Sequence, residues 1–87
     1  MKIVWDEPKR VANMAKHGLN FADLDETFFE SAVLRPAPKN RYKPIGKNMH
    51  GVISVIFAAL GAEGISVISM RPARKDERRI YEEAKEV

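Results

Sequence analysis

Apolar positions change period three times along the 87-residue chain. Lys2 to Trp5 is a short β-branched and aromatic run, which predicts a strand. Asp6, Glu7 and Pro8 mark a helix start: the first turn has no use for the N–H that proline lacks, and acidic side chains suit the positive end of the helix dipole. Val11, Met14 and Ala15 recur at helical spacing as the apolar stripe, and Gly18 is placed to close the helix in a left-handed cap. This predicts a first helix over about residues 7–17. Asn20, with Asp23 three positions on, opens a second helix to about Glu30, with Phe21, Leu24 and Phe28 on one face.

From Val33 the period becomes that of strands. Val33–Pro38 and Arg41–Lys47 contain Pro36, Pro38, Pro44 and Gly46, so both are expected as edge or bulged strands. Val52–Leu60 and Ile65–Arg71 are nearly continuous in apolar residues and joined by Gly61-Ala62-Glu63-Gly64, a hairpin at the expected centre of the sheet. Arg71-Pro72 ends it. A charged helix follows from about Ala73 to Lys85, anchored by Ile80, Tyr81 and Ala84. The predicted class is α+β in one domain over 1–87, a small antiparallel sheet with two N-terminal helices and one C-terminal helix.

Composition narrows the field. No cysteine is present, which excludes a disulfide framework, an iron–sulfur cluster and thiolate zinc sites, and fits a reducing cytoplasm. The longest mostly apolar stretch, Val52–Ala62, is far below the roughly 20 residues a membrane helix needs, and the acidic turn after Trp5 does not suit a signal peptide. Neither membrane association nor secretion is expected. Charge is unevenly spread: residues 35–81 carry ten Lys/Arg against three Asp/Glu, whereas the segments on either side are net acidic. A basic block of this kind suits a polyanionic partner, through counterion release, or else a solvated face.

Several side chains are candidates for chemistry. Strict alternation sets Ile65, Val67, Ser69 and Arg71 on one sheet face, so Ser69 and Arg71 project together at the strand's end. The same rule aligns Arg41, Lys43, Ile45 and Lys47 in a cationic stripe if no bulge intervenes; on an edge strand, lysine also serves to block edge-to-edge pairing. Arg74, Lys75, Arg78 and Arg79 crowd the start of the last helix, against its dipole, which calls either for an external anion or for intrahelical pairs such as Asp76–Arg79 and Glu82–Arg78. Glu77 and Tyr81 lie one turn apart on the same side. His17 ends the first helix, suited to capping or to proton transfer, while His50 falls in a turn. No metal-ligand spacing, phosphate loop or nucleophile elbow occurs, so no metal or cofactor is expected.

Trp5-Asp6, Lys9, Asn13 and Lys16-His17-Gly18, then Phe21, then Arg41 with Ile45-Gly46, then Ile68-Ser69, Arg71, Ala73, Glu77-Arg78 and Tyr81, together resemble the BrnT family of toxins. The resemblance spans Val4 to Tyr81. It implies a small ribonuclease of RelE-like fold, neutralised by a ribbon-helix-helix antitoxin and touching DNA only through that partner. Two positions depart from the family pattern: Asn40 where a Glu usually precedes Arg41, and Arg74 where Thr or Ser usually stands.

On that resemblance the expected function is metal-independent endoribonuclease chemistry in the cytoplasm. Arg41 and Arg71 would clamp phosphate, and His17 or Glu77 would act as acid or base. Lys43, Ser69, Lys75, Arg78 and Tyr81 would hold RNA, the tyrosine by stacking. The alternative is a non-catalytic nucleic-acid-binding or protein-pairing module of the same fold. Arg71 is expected to sit at the sheet margin, so that its truncation spares the fold.

Overall fold

The computed structural model describes residues 1–86. Its elements are β1 (Lys2–Trp5), α1 (Glu7–His17), a 3₁₀ turn (Phe21–Asp23), α2 (Glu26–Ser31), β2 (Val33–Ala37), β3 (Arg41–Asn48), β4 (Gly51–Leu60), β5 (Gly64–Pro72) and α3 (Lys75–Lys85). The five strands form one sheet in the order β1-β5-β4-β3-β2. It is mixed, not antiparallel, because β1 runs parallel to β5 along Lys2↔Gly64 to Trp5↔Val67. Strand direction is a tertiary property that the four residues of β1 do not encode. β2 is an edge strand, as its prolines require, but β3 is interior, paired to β2 and β4. Pro44 is accommodated there because the β3–β4 ladder carries no paired residues at Lys43 and Pro44.

One sheet face carries the main core. Ile53, Val55, Phe57, Ile65, Val67 and Met70 pack against Leu19, Phe21, Leu24 and Phe28, with Trp5 edge-on to Phe21. Gly46 allows this closeness, since a Cβ there would lie 2.7 Å from the Phe28 ring. The expected second helix is broken in two. Asn20 caps the 3₁₀ turn through Ala22 N–H, Leu24 is extended, and Asp25 restarts the chain as α2 by accepting from Phe28 N–H. Two side-chain caps five residues apart compete with a continuous helix, and both win. Phe21, Leu24 and Phe28 are nevertheless buried together, as their spacing predicts.

The stripe assigned to α1 is not its buried face. Val11 and Met14 are 54% and 41% exposed, and the helix docks instead through Asn13. Its amide accepts from Met70 N–H at 3.1 Å and donates to the carbonyls of Met70 at 2.8 Å and Leu19 at 3.2 Å. β1 stops pairing at Val67, so Asn13 supplies the hydrogen bonds that a longer β1 would have made to β5. Asn13→Ala strands both backbone groups of Met70 in the interior. It is expected to lower stability by about 2–3 kcal/mol and the melting temperature by about 10 °C or more, measured by thermal unfolding.

Candidate active site

The opposite sheet face is only partly covered. β4 and β5 pair in register from Ile53↔Pro72 to Ile56↔Ser69, then shift to Phe57↔Val67, leaving Ile68 as a bulge. A bulge moves every later side chain to the other face. Ile65 and Val67 therefore join Met70 in the core, while Ser69 and Arg71 share the other face with Ser66 rather than with Ile65 and Val67. Strict alternation could not foresee this. The β3–β4 register stays constant, so Arg41, Lys43, Ile45 and Lys47 do share one face. Facing pairs then fix three rows: Val33, Ile45, Ser54 and Arg71; Arg35 and Lys43 beside Ile56 and Ser69; Ala37, Arg41, Ala58 and Ser66. Because β3 is interior, Lys43 cannot be an edge guard.

α3 lies across the first row and seals it with Ile45, Ser54 and Glu77, all buried. Glu77 is 2% exposed and carries the centre of the site. Its carboxylate receives Arg71 Nη1 on Oε1 at 2.7 Å and Arg71 Nη2 on Oε2 at 2.8 Å, a two-pronged pair. Lys43 Nζ stands 2.9 Å from Oε2, and Arg74 N–H donates to Oε1 at 2.9 Å. Ser54 Oγ lies 3.5 Å from Oε2, at the outer limit of a hydrogen bond. The Arg71 hydrogen bonds hold Glu77 far below the usual carboxylate range, helped by Arg74 N–H and Lys43 and opposed by burial. A carboxylate occupied on both oxygens has no proton to give.

Arg74 lacks an acceptor, so only the glutamate half of a capping box exists: Glu77 returns to the Arg74 N–H while the Thr or Ser oxygen of the family pattern has no counterpart. Asn40 has φ 59° in the turn between β2 and β3, a left-handed conformation that asparagine tolerates better than glutamate. Arg41 and Arg35 form no ion pair among the described residues. Arg35 is a further cation on this face. The Ala37↔Arg41 register of its hairpin places it opposite Lys43.

The remaining candidates surround this centre unevenly. His17, half-buried, lines a depression with Lys9, Lys16, Ile68 and Ser69 at the β5 margin. Lys75 and Arg78 are exposed on α3, and the intrahelical pairs Asp76–Arg79 and Glu82–Arg78 do not form among the described residues. Tyr81 lies one turn beyond Glu77, with Lys85 Nζ 5.5 Å from its ring centroid and that ammonium also bonded to Ser31 O. Ala84 is exposed and does not anchor α3; Glu77 does. His50 sits in the β3–β4 turn, 3.8 Å from Asp23. Among the described residues, no three His, Asp or Glu side chains are grouped to hold a metal, and no helix is long and apolar enough to cross a membrane.

A mixed-sheet α+β protein whose open face gathers arginine, lysine and serine around one buried carboxylate is built to face a polyanion. Residues 5–77 match the family described as the ribonuclease toxin, BrnT, of type II toxin–antitoxin systems, and the chain belongs to that family. The 1.1 Å crystal structure of the Brucella abortus ribonuclease toxin, BrnT, is 53% identical over 86% of this chain and 99% of that one, with a TM-score of 0.80. No curated protein matches the chain. Membership brings an RNA substrate and an antitoxin partner.

Proposed function

We propose that the chain is a metal-independent endoribonuclease that works in the cytoplasm in the manner of RelE-like toxins, through one domain and with no cofactor. The supporting observation is the open face that carries Arg41, Lys43 and Arg71, with Lys43 and Arg71 both bound to Glu77. A base takes the ribose 2′-OH proton, the 2′-oxygen attacks phosphorus, and the 5′-oxygen leaves with a proton from the acid, giving a 2′,3′-cyclic phosphate and a 5′-OH. Arg41 and Arg71 hold the phosphate and Lys43 adds charge where it builds in the transition state. His17 serves as acid or base, the engaged Glu77 being unsuited to either. Ser69, Lys75, Arg78 and Tyr81 guide the RNA strand.

The test uses an RNA oligonucleotide in EDTA and its 2′-O-methyl counterpart. Cleavage of the first alone, with cyclic-phosphate ends, supports the reading. Cleavage of both would rule out 2′-oxygen attack.

We assign a ribbon-helix-helix antitoxin to the same basic face, its acidic segment covering Arg41, Lys43 and Arg71, so that the toxin meets DNA only through its partner. Steered association slows as salt rises, whereas dissociation changes less. Stopped-flow mixing should show the association rate falling from low to physiological salt; a flat rate would move the partner elsewhere, such as the apolar Val11 and Met14 of α1.

A further inference from the structure

We infer that Glu77 is a positioning residue that grips one end of Arg71 and leaves a single guanidinium edge, Nε–H with the outer Nη2–H, for the phosphodiester of RNA. The inference rests on the ribonuclease reading above and adds the division of labour within Arg71. Arginine has five N–H donors in a plane. Glu77 takes one from each terminal nitrogen, and Pro72 O takes the second from Nη1 at 3.2 Å. Nε–H and the outer Nη2–H point the same way and have no partner among the described residues. That edge is a second two-pronged donor.

The same carboxylate accepts from Lys43 on β3 and from Arg74 N–H at the start of α3. Glu77 therefore ties two strands and a helix to the orientation of one guanidinium. No lysine can replace Arg71 in this arrangement, because one ammonium cannot present two planar pairs of donors. An anion beside a phosphate site also weakens ground-state attraction for RNA, so the carboxylate's contribution lies in orientation rather than affinity.

Side-chain Nε–H resonances of the wild-type protein, with Arg71 assigned by their loss in Arg71→Lys, are followed while 2′-O-methyl RNA is added. The Arg71 Nε–H signal is expected to shift and to exchange more slowly. An unmoved signal would overturn the inference. Glu77→Gln is expected to cut single-turnover cleavage on the order of 10²-fold, with affinity for 2′-O-methyl RNA unchanged or tighter and the shape of the pH–rate profile retained. Cleavage at the wild-type rate, or loss of one limb of the profile, would overturn it as well. Should Glu77→Gln fail to fold, the wild-type titration decides alone. A wild-type protein that cleaves no RNA would sink the ribonuclease reading, and the Nε–H titration would still decide this one.

Discussion

Arg71→Ala is expected to lower RNA cleavage on the order of 10²-fold or more, the usual consequence of losing one preorganised donor at a charge-building centre. The sequence suggests that this truncation spares the fold, since Arg71 stands near the end of β5. The structure overturns that expectation. Arg71 makes both of the shortest contacts to a carboxylate that is almost wholly buried, and its removal leaves Glu77 with Lys43 and one backbone N–H. Breaking a buried pair from one side costs about 3 kcal/mol or more. Arg41→Ala separates the two effects, because Arg41 has no ion-pair partner among the described residues. It should lose cleavage with little change in melting temperature. Gel assays and thermal melts of both variants check this; equal destabilisation by the two would remove Glu77 from its central place.

Glu77→Ala should be strongly destabilising, by about 3–5 kcal/mol. That is a large share of the roughly 5–10 kcal/mol that holds a small protein folded. It strands the Arg71 guanidinium and uncaps α3 at the Arg74 N–H. The pH dependence follows from the direction of the shift. Glu77 titrates lower in the folded chain than its ordinary value of 4.5, so the folded state prefers the carboxylate and the unfolded state takes up its proton first. Its contribution is complete at neutral pH and declines as pH falls below that ordinary value. Urea unfolding of wild type and Glu77→Gln should show a wide gap in stability at neutral pH that narrows in acid. A gap constant with pH would mean that packing, not charge, accounts for the role of Glu77.

Much of the fold was legible because local signals act locally. Pro8 and Gly18 bound α1 where proline and a left-handed cap belong, Gly18 with φ 70°. The β4–β5 hairpin forms across 61–64 as its turn composition indicates. What escaped the sequence depends on partners. The Ile68 bulge exists only in the pairing of two strands and exchanges the faces of Ile65 and Val67 relative to Ser69 and Arg71. Asn13 reads as an ordinary polar helix residue until Met70 is brought beside it. The candidate site was half visible. Residue type and spacing point to Arg41, Lys43, Ser69, Arg71 and Glu77, but a glutamate six residues after an arginine does not announce that the two bind each other at both oxygens.

Incubating wild-type protein and Arg41→Ala side by side with mixed RNA in EDTA tests the central claim most directly, since it asks whether the arginine face cleaves RNA without a metal ion. Progressive cleavage by the wild type, suppressed on the order of 10²-fold by Arg41→Ala and restored in neither rate nor pattern by added magnesium, is the predicted result. Intact RNA with the wild type over a wide protein concentration range, or cleavage that begins only when magnesium is supplied, would contradict it.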